Sequence, residues 1–230
     1  MSTMRTIVVG ANRGLGLAFV DRCLKAGHEV IATARDLDAA SGLRELLDSA
    51  PGRAQGLQID VRDDQSVRDF VDRIPFDQID LVIHNAGAFG LREQGLRDVD
   101  PKGLLATFDV NSVGPLRVAK ALWPKLSDGS RFVTLTSLMG SIADASGGSY
   151  AYRMSKTALN MAVKCLGLEA APEGKIVFAM HPGWVRTDMG GPNAPLSIDE
   201  SVDAMVRTIE NSTPDSNGRF FDRNGEPLPY

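Results

Sequence analysis

Tyr152 and Lys156 stand four residues apart in Tyr152-Arg153-Met154-Ser155-Lys156, a spacing that sets them one above the other on a single helix face. A phenol held beside a fixed ammonium exchanges its proton more readily than free tyrosine, whose pKa is about 10. Near the start of the chain, Thr6-Ile7-Val8-Val9 runs directly into Gly10-Ala11-Asn12-Arg13-Gly14-Leu15-Gly16. Strand, glycine turn and helix in that order aim free helix N–H groups at a dinucleotide pyrophosphate. Ser137, followed by Leu138-Met139-Gly140, lies between these two ends. Together they predict hydride transfer coupled to proton transfer at a carbonyl or alcohol carbon.

The glycines are spaced Gly-x-x-x-Gly-x-Gly. Gly10 permits the tight exit from the strand, while Gly14 and Gly16 let backbone approach the phosphates and pack the helix closely. Arg35 closes the second strand, where an NAD site carries an acid for the ribose, and a guanidinium there suits the 2′-phosphate of NADP. Arg13 reaches toward the same phosphate. Asp36 is the competing residue, as a partner for the ribose hydroxyls of NAD. Asp60-Val61 ends the third strand and Asn85-Ala86-Gly87 the fourth, the edge at which doubly wound sheets hold ligands.

These residues need a frame. Strands are predicted at Arg5–Val9, Glu29–Ala34, Ala54–Ile59, Leu81–His84, Arg131–Thr136, Ile176–Met180 and Arg219–Phe221. Helices are predicted at Gly14–Ala26, Ala39–Ser49, Gln65–Ile74, Pro101–Leu126, Tyr152–Ala170 and Ile198–Asn211. Alternating strands and helices, with the strands continuously apolar, predict an α/β fold. Its form is a Rossmann-like doubly wound parallel sheet of about seven strands with helices on both faces. The 230 residues suit one domain, with a cofactor half over roughly 1–110 and a catalytic and substrate half over roughly 111–230. Two helical stretches, around Leu104–Trp123 and Met154–Leu168, are apolar over most of their girth, which predicts a second burial partner, a homodimer or homotetramer ahead of deep burial within the monomer.

The ordered set Gly10–Gly16, Asp60, Asn85-Ala86-Gly87, Asn111, Ser137, Tyr152, Lys156 and Pro182-Gly183 resembles the short-chain dehydrogenase/reductase family over essentially the whole chain. Within it, Ser141-Ile142-Ala143-Asp144 and His181 through Met189 are similar to the C-factor and Sniffer-like carbonyl reductase group. The resemblance implies that Tyr152 is the proton donor in reduction and that Lys156 lowers the phenol pKa and holds the nicotinamide ribose. It implies that Ser137 orients the substrate oxygen and that Asn111 holds a water linking Lys156 to solvent. Contacts to the cofactor fall to Gly10, Asn12, Arg13, Gly14, Leu15, Gly16, Arg35, Asp60, Val61, Asn85, Ala86 and Gly87. Near the nicotinamide they fall to Tyr152, Lys156, Pro182, Gly183, Val185 and Thr187. NADP(H) is the expected cofactor ahead of NAD(H).

Tyr150 competes with Tyr152, and its spacing to Lys156 excludes it. Residues 188–197 form a glycine- and proline-rich loop suited to a lid over the cofactor. With Phe89, Leu138, Met139, Ile142, Tyr150, Trp184 and Met189 it predicts a mostly apolar pocket for small hydrophobic or aromatic carbonyl substrates. His84 and His181 lack partners at metal-ligand spacing and read as packed, hydrogen-bonded histidines, with no metal expected. Cys23 and Cys165 read as small buried hydrophobes. The net charge of −4 gives no electrostatic reason to seek nucleic acid or anionic membrane. Met1 to Arg5 is too short for a signal peptide, and the cytoplasm is expected. A dinucleotide-binding signalling protein with little or no catalysis is the alternative function.

Overall fold

The computed structural model describes residues 3–91 and 95–230; Met1 and Ser2 of the leading segment lie outside them. Seven parallel strands form one sheet in the order β3-β2-β1-β4-β5-β6-β7. They are β1 (Arg5–Val9), β2 (Glu29–Ala34), β3 (Ala54–Gln58), β4 (Ile79–His84), β5 (Leu126–Leu135), β6 (Ile176–His181) and β7 (Phe220–Asp222). The chain moves outward from β1 to β3, then returns to pair β4 with β1, Thr6 opposite Leu81 and Val9 opposite His84. The order reverses between β1 and β4, which makes the C-terminal ends of those strands the natural ligand crevice.

Both faces of the sheet are covered. Ile7, Val9, Leu57, Val82 and Phe132 face one way, onto Val67 and Phe70 of α3 (Asp64–Asp72), Val118 and Leu122 of α5 (Gly114–Leu122) and Leu159 of α6 (Tyr150–Ala170). Val8, Val30, Ile83, Val133 and Phe178 face the other, onto Phe19 and Val20 of α1 (Gly14–Lys25), Leu43 of α2 (Ser41–Asp48) and Met205 of α7 (Ile198–Glu210). The strand period of two sorts successive residues into two cores, which is why β1, β2, β4 and β6 read as nearly unbroken apolar runs, while edge-ward β3 and the start of β5 do not. Among the described residues no helix is long and apolar enough to cross a membrane.

Several boundaries differ from expectation for local reasons. The predicted helix Pro101–Leu126 is instead α4 (Pro101–Phe108), a π turn at Asp109–Val113, α5, and a 3₁₀ turn at Trp123–Lys125. Pro115 has no N–H to donate one turn back, so the helical ladder is interrupted around Val110 and Asn111. β5 begins at Leu126 because Leu126 pairs with Ile79 across an irregular register. α6 begins at Tyr150, entered through Ser149 with φ 48°. Cys23 is buried, but Cys165 is exposed on the outer side of α6. Met154, Met161 and Leu168 of the same helix are also exposed, as are Leu105, Val113 and Leu116 near the π turn.

Candidate active site

Every strand in this sheet points its C-terminal end to the same edge, so the segments after β1, β2, β3, β4, β5 and β6 gather there. The β1–α1 turn is shaped by backbone crowding. At Gly10 (φ 82°) a Cβ would lie 2.7 Å from Ala86 Cα, and at Gly16 it would lie 2.1 Å from the Gly10 carbonyl oxygen. Asn85 donates its side-chain amide to that same carbonyl at 2.5 Å, and Ala86 N–H donates to the Val9 carbonyl. Gly10, Gly16, Asn85 and Ala86 therefore form one compact knot joining the ends of β1 and β4. Gly14 has φ 58° and faces Thr187, with 3.7 Å between its Cβ position and the threonine methyl.

α1 starts after Arg13 with no side-chain cap and no acid in its first turn. An uncapped helix N-terminus of this kind suits an anionic group. Arg35 is exposed just past β2, while Asp36 accepts from Ala39 N–H at 3.0 Å and so caps its own turn. An exposed guanidinium beside an uncapped helix and a glycine knot fits a phosphorylated dinucleotide. Asn12 is exposed and Leu15 half-buried in this turn. Arg13 forms an ion pair with Asp188 across the edge, both residues being largely exposed; its expected reach toward a phosphate is taken up here by that carboxylate.

Asp60 is bound bidentately by Arg62, a partner absent from the sequence reading. Hydrogen bonding from Arg62 holds its carboxyl down at about 2. Val61 is buried; its carbonyl accepts from Arg117 at 2.5 Å. Gly87 sits at the floor of the edge, its Cβ position 3.5 Å from Lys156 Nζ and 3.3 Å from Asn111 Oδ1.

Asn111 is fully buried within the π turn. Its Oδ1 accepts from Ala88 N–H at 2.8 Å, and its Nδ2 donates to the Ala88 carbonyl at 2.8 Å and to Ser155 Oγ at 2.9 Å. The side chain thus braces the β4 exit against α6.

Ser137, Tyr152 and Lys156 are all buried and come together. Ser137 lies two residues past β5, where its hydroxyl accepts from Met139 N–H at 3.2 Å and lies near enough to the Tyr152 phenol to favour its charged form. Lys156 Nζ donates to the Leu135 carbonyl at 2.8 Å and lies 5.9 Å from the Tyr152 ring centre. Phe89 packs its ring against Tyr152 at 4.8 Å between centroids. Burial raises the Tyr152 pKa above its usual 10, with the nearby Ser137 hydroxyl opposing. Burial lowers that of Lys156 to about 8. The expected lowering of the phenol by Lys156 is not what this arrangement gives: desolvation of the phenol prevails. Gly140 makes the close packing possible, since a Cβ there would lie 2.8 Å from Lys156 backbone.

Pro182, Gly183, Val185 and Thr187 follow β6. Pro182 accepts from Ser201 Oγ at 2.7 Å, and Gly183 turns at φ 84° with Leu196 against it. Val185 is buried and bridges to Leu196. Thr187 Oγ1 accepts from Gly190 N–H at 3.1 Å. The loop 188–197 is heavily tied: Arg186 donates to the Ala194 and Pro195 carbonyls, and Trp184 to that of Gly190. Ile142, Tyr150, Trp184 and Met189 all expose apolar surface around the edge.

His84 and His181 are packed as expected, but His84 Nε2 and His181 Nδ1 lack hydrogen-bond partners. Burial pushes their pKa values down to about 3 and about 4. No cluster of three potential metal-ligating side chains occurs among the described residues. Sequence reasoning missed Arg62, Arg117, Arg153 and Asp188, whose partners are distant in sequence or lie in loops.

A family model described as enoyl-(acyl carrier protein) reductase matches residues 9–217. C-signal of Myxococcus xanthus is 46% identical over 167 residues, 71% of this chain and 100% of that protein. The carbonyl reductase Sniffer of D. melanogaster is similar in structure with a TM-score of 0.93 at 31% identity, covering 100% of both chains. An NADPH-bound carbonyl reductase from chicken fatty liver has a TM-score of 0.92 at 29% identity, again over 100% of both chains.

Proposed function

Because the chain belongs to the short-chain dehydrogenase/reductase family of oxidoreductases, we propose that it is an NADP(H)-dependent carbonyl reductase that converts a ketone or aldehyde to an alcohol. The observation that carries this reading is the buried cluster of Ser137, Tyr152 and Lys156, with Lys156 Nζ 5.9 Å from the Tyr152 ring centre and the glycine knot along the same edge. NADP(H), when bound, supplies the hydride. Gly10 to Gly16 and the first turn of α1 would hold the pyrophosphate, Arg35 the 2′-phosphate, and Lys156 the nicotinamide ribose. Asn12, Arg13, Asp60, Val61 and Asn85-Ala86-Gly87 line the nucleotide half, and Pro182, Gly183, Val185 and Thr187 the nicotinamide half.

Tyr152 acts as the general acid, its hydroxyl proton passing to the substrate oxygen. Burial keeps that phenol protonated at neutral pH, the form that reduction requires. The Ser137 hydroxyl orients the same oxygen. Lys156, at about 8, is a group whose proton can be exchanged near neutrality, and Asn111 would hold the water that returns it. Phe89, Ile142, Trp184 and Met189 supply an apolar wall that suits a hydrophobic or aromatic carbonyl. The exposed apolar stripes on α4–α5 and α6 suit self-association as a homodimer or homotetramer. No membrane or nucleic-acid partner is proposed, and a cytoplasmic setting accords with this chemistry.

The test is NADPH oxidation by the pure protein against aldehydes, ketones, quinones and an enoyl thioester, beside titrations with NADPH and NADH. Tyr152→Phe is expected to lose about 10²- to 10⁴-fold in turnover while still binding NADPH. Unchanged turnover in that variant would overturn the mechanism. The identity to C-signal supports a second reading, a dinucleotide-binding signalling protein. Tight NADPH binding with no turnover of any panel member would favour it.

A further inference from the structure

The loop Ser141–Ser149 links the Ser137 turn to the helix that carries Tyr152, so its position fixes one wall of the reaction edge. Its residues 142–148 are exposed. It ends in Gly147, Gly148 and Ser149, three successive residues with positive φ (79°, 68° and 48°). Ser149 adopts that conformation without the freedom of glycine, so something must hold it there. Two hydrogen bonds stay inside the loop, Asp144 N–H to Ser141 Oγ and Ala145 N–H to the Ile142 carbonyl, both at 3.3 Å.

Besides the backbone bonds at its two ends, Ser141 N–H to the Leu138 carbonyl and Arg153 N–H to the Ser149 carbonyl, side-chain and tail contacts reach outside it. Arg153, next to Tyr152 on α6, donates to Ser146 Oγ at 2.6 Å and to the Met139 carbonyl at 3.4 Å. Ala143 N–H donates to the Tyr230 carbonyl at 3.2 Å. Tyr230 is itself firmly seated. Its hydroxyl donates to the Gly218 carbonyl at 2.6 Å, its ring stacks on Phe220 at 6.0 Å, and Leu228 N–H donates to the Phe220 carbonyl at 2.8 Å. The tail is thus pinned to β7, and through β7 to the sheet.

We propose that Tyr230 is a positioning residue for the substrate wall: by accepting from Ala143 N–H while anchored on Phe220 and Gly218, it holds the Ser141–Ser149 loop fixed, with Arg153 as the second tether. The wall is then rigid, and the tail sets how bulky a carbonyl the edge admits. The consequence for substrate selection rests on the carbonyl reductase reading; the tether does not.

The experiment compares the full chain with Tyr230→Ala, Tyr230→Phe and a chain ended at Leu228, first by hydrogen exchange and then by kinetics. Peptides covering 141–149 are expected to exchange about tenfold faster in Tyr230→Ala and in the shortened chain, with peptides from β1 and the middle of α6 unchanged. Tyr230→Phe, which keeps the ring stack, should fall between. KM for the bulkiest aromatic carbonyl turned over should change by about three- to tenfold, with kcat on the smallest aldehyde and NADPH affinity held within about twofold. Unchanged exchange at 141–149, or an equal loss of kcat on all substrates, would overturn the proposal. If the unaltered chain turns over no carbonyl, the enzymatic reading fails, and exchange alone decides the tether.

Discussion

Lys156 Nζ lies 5.9 Å from the centre of the Tyr152 ring while donating to the Leu135 carbonyl at 2.8 Å. A buried ammonium is thereby held beneath a buried phenol by one backbone oxygen. Burial dominates both groups, raising the phenol and lowering the ammonium to about 8.

This depressed lysine has a signature in stability. Between about 8 and 10.5 the folded chain has released the Lys156 proton and the unfolded chain still holds it. The unfolded state binds more protons there, so this group's contribution becomes more favourable as pH rises through that window and is least favourable below it. Lys156→Met is expected to gain up to about 3 kcal/mol at about pH 7, and progressively less toward about pH 10. Denaturant unfolding across that range checks it; a gain independent of pH would refute the assignment.

Arg35 is expected to carry the preference for NADPH, since Arg13 is engaged by Asp188 and Asp36 by its own turn. Arg35→Ala should weaken NADPH binding by about 10- to 100-fold and leave NADH binding nearly unchanged, the range for a charged hydrogen-bonded contact. Fluorescence titration with both cofactors measures this. Equal losses for the two would place the 2′-phosphate elsewhere.

Gly16 and Gly42 make a matched pair. A methyl at Gly16 meets the Gly10 carbonyl oxygen at 2.1 Å, whereas at Gly42, in α2, it meets only Leu17 at 3.4 Å. Gly16→Ala is expected to cost about 1–3 kcal/mol and to weaken NADPH binding. Gly42→Ala should be neutral or stabilise by up to about 1 kcal/mol. Thermal melts with and without NADPH separate them.

Met161 and Leu168 are 63% and 67% exposed on α6, so charging them should leave the isolated fold intact. Met161→Glu with Leu168→Glu is expected to convert an oligomer to monomer in light scattering coupled to size exclusion. A monomeric starting protein would dismiss the self-association reading.

The sheet was legible because most strands, β1, β2, β4 and β6 among them, are largely apolar runs bounded by glycine or polar turns, and because Gly10, Arg35, Asn85, Ser137 and Pro182 stand at or just past strand ends. Local spacing also placed Tyr152 above Lys156 on α6. What escaped the sequence were relations closed by tertiary structure: Arg13 with Asp188, 175 residues apart, and Ala143 with Tyr230. Arg62 with Asp60 escaped for another reason, since neighbouring charges are normally read as solvated surface. The direction of the Tyr152 shift was misread because spacing reveals a charge partner and not the depth of burial that competes with it.

The π turn at Asp109–Val113 acts as a phase shifter. A π bulge holds one residue more than the α-helical ladder would, and one residue is about 100° of rotation and 1.5 Å of advance. α4 can therefore lean on α6 while α5 packs on α3, although both arise from one nearly continuous helical run. Deleting a single residue there would straighten the rod, but it would also rotate everything downstream by over a quarter turn. Val118 and Leu122 would leave the sheet, and Asn111 would lose Ala88 and Ser155 together. The irregularity is thus the gearing that lets one stretch of chain serve two packing directions with a buried asparagine at the joint.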